Sequence, residues 1–231
     1  MNNQINNNFS NLTLVIPAKE ETNCLYQVLN EIKDFELKKI VIIPSDHSIP
    51  TNYPFKDLKI INQKKRGYGN AIIEGIDKVN TEFFCIFNAD GSFNPLELKG
   101  MNGNSNYYDF VFGSRYLKNS KSDDDTFLTI IGNYIFSKIG QIFFNIKLSD
   151  ILYTYILGNT SKFKQLNVKS GDFGFCVELP IKLSRTNFSY TELPSHERKR
   201  ISGIKNVNEF VDGFKILLKM IKLFFNKKIT N

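Results

Sequence analysis

The sequence of 231 residues contains no tryptophan, only two histidines and only three cysteines. Cys24, Cys85 and Cys176 stand far apart with no CxxC pair. This spacing argues against a disulfide framework or a zinc site and is typical of small buried hydrophobic residues in a reducing cytosol. His47 and His196 stand in polar segments without a second His or Cys at ligand spacing, so we assign neither a catalytic role.

Long apolar runs are missing as well. The sequence contains no stretch of about 18 uninterrupted apolar residues, the length of a membrane span, and its Asn-rich start is no signal peptide. We therefore expect a cytoplasmic protein. Hydrophobic residues make up 42% of the chain, which excludes global disorder. The net charge of +7 favours an anionic partner, such as a nucleotide, a phospholipid surface or a nucleic acid.

Short β-rich runs alternate with helical patterns along the first half of the chain. This alternation predicts an α/β domain whose mostly parallel sheet is flanked by helices, with a ligand site at the carboxyl ends of the strands. The predicted strands are 12–16, 39–43, 58–61, 82–87 and 108–112, and the predicted helices are 25–32, 70–79 and 130–144.

The rest of the chain divides less clearly. We place a polar, disordered N-terminal segment at 1–10, the α/β domain at 11–207 and a basic amphipathic helix at 208–231. Within the domain, the acidic run 119–125 is the best candidate for a mobile loop, and the stretch from 145 to about 202 is predicted to be less regular.

The strongest local signal is Asn88-Ala89-Asp90-Gly91-Ser92, directly after an apolar strand. Mg²⁺ and Mn²⁺ favour a few protein oxygens completed by phosphate oxygens. Asp90 can supply the anionic ligand, with Asn88 and Ser92 as neutral ones. Taken alone, the pentapeptide is more typical of an ordinary Asx turn.

Polar segments also follow the neighbouring strands. Residues 17–21 come after the first strand and 45–48 after the second, and the cations and glycines of 63–70 suit a phosphate-rich ligand. The last segment is no Walker loop, because no GK[ST] follows, and it lacks the third glycine of the dinucleotide fingerprint.

The order of these motifs resembles family 2 glycosyltransferases of the GT-A fold, which is Rossmann-like. Within that family the chain is most similar to the dolichol-phosphate mannosyltransferase and polyprenyl-phosphate glycosyltransferase branch. The resemblance covers roughly residues 11 to 220. It is carried by VIPAKEE, SDHS, QKKRGYGNAIIEGI, FNADGSFNP and FGSRY, and then by LSDILYTYILGNTSKF, GFCVELPIKL and ELPSHERKRISGIKN.

The resemblance implies an inverting enzyme that moves a hexose from a UDP- or GDP-sugar to a polyprenyl or dolichyl phosphate, or to another membrane-associated acceptor. It implies Mg²⁺ or Mn²⁺ as cofactor, bound by Asn88, Asp90 and Ser92. The implied nucleotide-sugar site consists of Pro17, Ala18, Glu21, Asp46, Arg66, Gly67, Gly69, Asn88, Ala89 and Asp90. The implied phosphate and acceptor contacts are Arg115, Arg198, Arg200 and Lys205.

The catalytic candidates are Asp90, Arg115 and Asp150. If the acceptor were a hydroxyl of a polysaccharide or glycolipid, a general base would be required. Asp150 is then our candidate, with one of 123–125 as a second, although a helix-capping role for Asp150 is equally consistent with the sequence.

Two departures from the family leave alternatives open. Asn88 stands where the family usually has Asp, so a nucleotide-sugar-binding homologue without catalysis is one alternative. The arginine often found soon after FGSRY is missing, which makes the acceptor phosphate contact less defined than the donor site. A nucleic-acid-binding role is disfavoured, because the cations are dispersed and no reader motif is present.

The last predicted helix is amphipathic and basic. It either packs on the core or lies in the plane of an anionic membrane. Since many members of the branch carry transmembrane segments here, we expect a peripheral enzyme on the cytoplasmic face of a membrane. Its apolar face contains Phe210, Phe214, Leu217, Leu218, Ile221, Phe224 and Phe225, and its basic stripe contains Lys215, Lys219 and Lys222.

Overall fold

The computed structural model describes residues 8–19, 24–47, 54–201 and 209–226. In chain order, the elements are β1 (Asn8–Pro17), α1 (Leu25–Glu31), β2 (Glu36–Ile43), β3 (Leu58–Asn62), α2 (Tyr68–Ile76), β4 (Phe83–Ile86), a 3₁₀ turn (Pro95–Glu97), α3 (Leu98–Asn104), β5 (Phe110–Ser114), β6 (Lys121–Ser122), α4 (Phe127–Phe144), β7 (Ile156–Asn159), α5 (Thr160–Leu166), α6 (Phe175–Leu183), β8 (Tyr190–Pro194), β9 (His196–Glu197) and α7 (Glu209–Phe225).

A seven-stranded sheet organises the molecule, with the strand order β3-β2-β1-β4-β7-β5-β8. β1 pairs in parallel with β2 and β4, β2 with β3, and β5 with β8. β7 runs antiparallel to β4 and β5 and so joins the two parallel parts. The predicted α/β class with a mostly parallel sheet is confirmed.

Helices cover both faces of the sheet, so the central strands are buried on both sides. In β1, successive side chains point to opposite faces. Val15 belongs to the same hydrophobic cluster as Ile72 of α2, whereas Leu14 belongs to the cluster that contains Leu25 of α1. Each of these residues is completely buried. This explains why the strands are continuous apolar runs without alternation.

The structure differs from two predictions, the start of the first strand and the irregularity of the stretch after 145. β1 begins at Asn8, because Phe9 is buried and lies 5.5 Å from the ring of Phe35, so residues 8–10 belong to the sheet. The stretch after 145 is also regular and contains β7, α5, α6 and β8. α6 was missed because it is buried along its whole length, which removes the helical alternation of polar and apolar residues.

The acidic run 119–125 is held in place by strand pairing and ion pairs. β6 pairs with β9, and each of the three aspartates at 123–125 accepts a hydrogen bond from a side chain of another segment. Asp123 accepts a hydrogen bond from His196, Asp124 from Arg200, and Asp125 from Arg115. The expectation of a mobile loop rested on composition alone and did not anticipate these partners.

α4 has an unusual distribution of side chains. Its buried residues are Asn133, Ser137 and Gly140, while most of its large apolar side chains face outward. By length and composition alone, α4 is long and apolar enough to cross a membrane, with a mean hydropathy of 1.3. Only 17% of it is buried, so it is not a core helix. Large exposed apolar side chains occur on both α4 and α7: Phe127, Leu128, Ile130, Ile131, Tyr134, Ile135, Ile142 and Phe143 on α4, and Val211, Phe214, Leu218, Ile221, Phe224 and Phe225 on α7.

Gly75 allows α2 to lie close to the sheet. A Cβ at this position would lie 2.6 Å from Val15 Cγ1 and 2.7 Å from Ile42 Cδ1. We expect Gly75→Val to lower the free energy of unfolding by about 1–3 kcal/mol, because it overpacks this interface. Urea denaturation followed by circular dichroism measures the change.

Gly103→Ala in α3 is the matched control, because an added Cβ there meets no atom of the described residues within 4 Å. It should stabilise the protein by up to about 1 kcal/mol through helix propensity. Equal destabilisation by both substitutions would contradict the packing role of Gly75.

Candidate active site

The carboxyl ends of β1, β2 and β4 meet at one edge of the sheet, beside a cavity of about 610 Å³. Ligands of open α/β sheets bind at this edge. One wall consists of the segments that follow these strands, represented by Ala18, Asp46 and Asp90. The opposite wall includes Thr129 of α4 and Ile216 of α7. The cavity therefore lies between the sheet edge and the two helices with exposed apolar faces.

A solvent-exposed ion pair lies at one end of the cavity. Arg66 Nη2 donates to Asp46 Oδ2 at 2.6 Å, and the His47 ring nitrogen Nδ1 lies 3.2 Å from Asp46 Oδ1. The hydrogen bond from His47, with a smaller contribution from Arg66, lowers the pKa of Asp46 below its ordinary value. Asp46 is therefore a carboxylate that can accept a hydrogen bond from an N–H group of a nucleobase.

Two aromatic rings form a further part of the wall. Tyr68, at the start of α2, stacks on Phe173 with ring centroids 5.3 Å apart, and its hydroxyl lies 2.7 Å from Thr154 Oγ1. Gly67 precedes Tyr68 with a φ of 119°, a conformation that side chains disfavour. Gly69 does not line the cavity; a Cβ there would lie 2.1 Å from the carbonyl oxygen of Ser170. Gly69 therefore allows close packing of α2 on residue 170, and its predicted ligand contact stays a prediction.

The turn after β4 presents Asn88, Ala89 and Asp90 to the cavity. Asp90 Oδ1 accepts a hydrogen bond from the Ser92 amide at 2.9 Å, which orients the carboxylate. Ser92 does not line the cavity; its hydroxyl accepts a hydrogen bond from Asn88 Nδ2 at 3.3 Å. Ser92 thus supports the turn, and the structure does not present it as a metal ligand. Gly91 completes the turn with a φ of 81°.

Among the described residues, no group of three or more His, Cys, Asp or Glu could hold a metal ion alone. Asp90 and the amide oxygen of Asn88 are hard oxygen donors at the cavity wall. They fit a Mg²⁺ or Mn²⁺ ion that takes most of its ligands from a diphosphate and water.

Arg115 occupies the centre of a buried ion-pair network. Asp150 accepts hydrogen bonds from Arg115 Nε at 2.7 Å and Nη2 at 3.0 Å. Arg115 Nη1 donates to Asp125 at 3.1 Å and to Glu197 at 3.2 Å. Burial is the main reason why the pKa of Glu197 is raised, although Arg115 opposes the shift. The guanidinium carbon also lies 4.7 Å from the centre of the Tyr153 ring.

These contacts define the surroundings of Asp150. It is 1% exposed, does not line the cavity, and both of its carboxylate oxygens bind Arg115. It also lies outside the helix termini, so it caps no helix. Its role in this geometry is to orient Arg115. The carboxylates that do reach the cavity opposite Asp90 are those of Asp124, Asp125 and Glu197.

Arg198 and Arg200, in the segment that follows β9, differ in what they contact. Arg200 lines the cavity and pairs with Asp124 at 2.7 Å. Arg198 does not line it and instead binds Glu31 at 2.8 Å and the carbonyl oxygen of Phe93 at 2.9 Å. Arg198 therefore links this segment to α1, and its predicted phosphate contact stays a prediction. Glu21 and Lys205 lie outside the described residues.

Sequence reasoning missed several residues of the site. Tyr68, Tyr153 and Phe173 carry no local motif, since they meet only in the folded chain. Glu197 adjoins the basic segment that was singled out, and the acidic run was considered only as a secondary source of a base. The one feature of the sequence that could have indicated Glu197 as a site residue is its position directly before the cationic residues 198–200.

Residues 13–167 match the family described as Glycosyl transferase family 2, and the chain belongs to this family. It is also similar to Glycosyltransferase AglJ of Haloferax volcanii, at 21% identity over 214 residues that cover 90% of this chain and 70% of the relative. The chain is thus a family 2 glycosyltransferase that uses a nucleotide-sugar donor.

Solved structures show the same fold. Glucosyl-3-phosphoglycerate synthase from Mycobacterium tuberculosis, in complex with Mn²⁺, UDP and phosphoglyceric acid, matches with a TM-score of 0.70 at 10% identity, covering 94% of this chain and 79% of that one. TarS of S. aureus in complex with UDP-GlcNAc matches with a TM-score of 0.60 at 15% identity, covering 91% of this chain and 66% of that one. The GT-A-like architecture is confirmed.

Because Asp150 pairs with buried Arg115 through both carboxylate oxygens, its removal should have a large effect on stability. We expect Asp150→Ala to lower the free energy of unfolding by about 3–5 kcal/mol, because it removes one partner of a buried ion pair. Urea denaturation measures the loss. Asp77→Ala removes an exposed carboxylate at the end of α2 and should change stability by less than about 0.5 kcal/mol. A cost for Asp150→Ala as small as that of the control would refute the structural role.

Proposed function

We propose that the protein transfers a hexose, with inversion, from a UDP- or GDP-hexose to a polyprenyl or dolichyl phosphate, or to another membrane-associated acceptor. The observation that carries the proposal is one cavity lined by a carboxylate for the base, by a turn suited to a metal–diphosphate and, besides Arg66, by two further arginines. These groups are Asp46, the Asn88–Asp90 turn, Arg115 and Arg200. The similarity of the motifs to the polyprenyl-phosphate branch supports the acceptor class.

Donor binding follows from the arrangement of charges. Asp46 would accept an N–H of the base, and Asn88 and Asp90 would hold Mg²⁺ or Mn²⁺ on the diphosphate. When bound, the divalent cation neutralises charge on the departing nucleoside diphosphate. Arg200 would donate hydrogen bonds to the same phosphate oxygens. The structures of relatives with UDP and UDP-GlcNAc support uracil as the first base to test.

The acceptor site favours a group that is already ionised. A phosphate monoester has a second pKa of about 6, so near pH 7 it can attack the anomeric carbon without a strong base. Asp125 and Glu197 reach the cavity, but both bind Arg115. Arg115 itself lines the cavity, so it can meet an acceptor phosphate there.

A second candidate function is transfer to a hydroxyl of a polysaccharide or glycolipid. The observation in its favour is Glu197, which lines the cavity and whose pKa is raised by burial. A base with a raised pKa accepts a proton more readily. The two functions differ in whether a lipid phosphate is required.

A membrane surface is the proposed location of the enzyme. The exposed apolar faces of α4 and α7 adjoin, because Phe143 and Phe224 meet edge to face with centroids 5.9 Å apart. Exposed apolar surface of this extent marks a binding face. α4 contains no acidic residue, and exposed Lys138 and Lys222 accompany the apolar side chains. This combination fits an anionic bilayer, with the two helices in its plane.

The position of these helices also supports a membrane-associated acceptor. Thr129 and Asn133 of α4 and Ile216 of α7 line the donor cavity. A bilayer against the outer faces of α4 and α7 would therefore lie beside the cavity. A lipid-linked phosphate could then reach Arg115 while its chain stays in the membrane.

The donor site is tested by nucleotide binding. Isothermal titration with UDP and GDP, each with and without Mn²⁺, should show binding of one nucleotide that metal strengthens. Asp90→Asn should weaken metal-dependent binding at least about tenfold, whereas Asp77→Asn should leave it unchanged. Absence of binding by the unmodified protein would overturn the proposed function.

Transfer is then tested with radiolabelled UDP- or GDP-hexose. The label should pass to polyprenyl phosphate and be released by mild acid, as expected of a glycosyl phosphate. Transfer to a glycolipid hydroxyl alone would favour the second candidate. Nucleotide binding without any transfer would instead support the catalytically inactive homologue.

Membrane binding is tested by flotation with anionic vesicles. Combined Ile142→Glu and Phe214→Glu should weaken binding at least about tenfold, because burying each large apolar side chain contributes roughly 1.5–3 kcal/mol. Combined Leu96→Glu and Tyr107→Glu is the control, since these residues are 76% and 79% exposed outside both helices. The membrane proposal fails if the α4–α7 variant floats like the unmodified protein or if the control loses binding equally.

Substitutions test this face better than deletion of α7. Ile216, Met220 and Leu223 are buried against the core, at 7%, 1% and 8% exposure. Removing the helix would uncover this core surface, so a change in vesicle binding could not be assigned to the outer face.

A further inference from the structure

Glu178 of α6 is a buried carboxylate outside the cavity, only 2% exposed. It accepts hydrogen bonds from the backbone amide of Ser170 at 2.7 Å and from the Ser170 hydroxyl. It also forms ion pairs with Lys182 at 2.9 Å and Lys219 at 3.0 Å. Burial alone would raise its pKa, but the hydrogen bonds from Ser170 and the two lysines outweigh burial and lower the pKa to about 2. An ionised carboxylate thus joins α6, α7 and the loop before α6.

That loop, residues 170–174, supports the nucleotide side of the cavity. Its Phe173 stacks on Tyr68, and both rings line the cavity. The carbonyl oxygen of Gly171 accepts a hydrogen bond from the amide of Asn70 at 3.0 Å. The loop also lies against the start of α2 so closely that a Cβ at Gly67 would be 2.2 Å from the Gly171 oxygen. Displacement of the loop would therefore move this wall of the donor cavity.

Lys219 is the contribution of α7 to this arrangement. It reaches Glu178 across the packed interface of α6 and α7, and Ile216, one turn earlier, lines the cavity itself. Without Lys219, Glu178 would retain Ser170 and Lys182 but would lose its link to α7. The loop would then keep its contacts with α2 and α6 but lose its link through Glu178 to α7.

We propose that Glu178 and Lys219 are positioning residues for the donor. They hold the 170–174 loop against Gly67–Asn70 and thereby set the affinity for the nucleotide. This inference rests on the proposed function, since it assigns the nucleotide to the part of the cavity lined by Gly67, Tyr68 and Phe173. Neither Glu178 nor Lys219 lines the cavity, so the effect passes through the loop.

The test compares Lys219→Met with Lys215→Met in the full chain. Lys215 lies one turn earlier on the same helix and pairs with Asp212 of that helix at 3.3 Å, so it is the matched control. We expect Lys219→Met to raise the Kd for UDP or GDP with Mn²⁺, and the KM for the sugar nucleotide, about five- to tenfold. The kcat at saturating donor should stay unchanged. Lys215→Met should alter neither constant, and Lys219→Arg should restore both.

Ser170→Ala removes the hydroxyl that donates to Glu178 from the loop and should raise the same Kd and KM. The test therefore remains available if Lys219→Met folds poorly. Unchanged affinity in both variants would overturn the inference, and so would a fall in kcat without a change in KM. If the unmodified protein binds neither nucleotide, the proposed function fails first. If it binds one and the variants bind equally well, only the positioning role fails.

Discussion

The buried guanidinium of Arg115 is the interaction on which the architecture of the site depends. Arg115 follows β5, and its partners come from three other segments: Asp125 before α4, Asp150 before β7, and Glu197 in β9. Removing these charges from water costs several kcal/mol per ion, which is recovered only when the partners are in place together. The network therefore brings the second half of the chain to the sheet edge, where the cavity lies between it and the segments after β1, β2 and β4.

The same ion pairs also determine how readily Arg115 and Arg200 can bind an incoming phosphate. Arg115 is enclosed by three carboxylates, and its side chain is 7% exposed. Arg200 pairs with Asp124, and its side chain is 22% exposed. A diphosphate can compete with one carboxylate for Arg200 at lower cost than it can break the Arg115 network. Within the proposed function, we therefore expect Arg200 to change partner on donor binding and Arg115 to stay fixed as the charge that an acceptor phosphate would meet.

The parts of the fold that could be predicted are those with a local signal. β1 to β5 are apolar runs bounded by polar turns, and the Asn88–Asp90 turn follows one of them directly. α6 gave no such signal, because burial on all sides leaves it without polar and apolar alternation. The stack of Tyr68 on Phe173 depends on how α2 meets a distant loop. The pairing of Asp150 with Arg115 could not be predicted, because a motif identifies a carboxylate but not the arginine that binds both of its oxygens.

The C-terminal helix shows why amphipathicity alone left two interpretations open. A helix that packs on a core and a helix that lies on a membrane share the same periodicity. In the fold α7 has two apolar faces: Met220 is buried against the domain, while Phe214 and Leu218 are 61% and 49% exposed. Lys219 lies between these faces and is bound inward to Glu178. Since α4 adds a second exposed apolar face beside α7, packing on the core and docking on a lipid surface are compatible roles for the same helix.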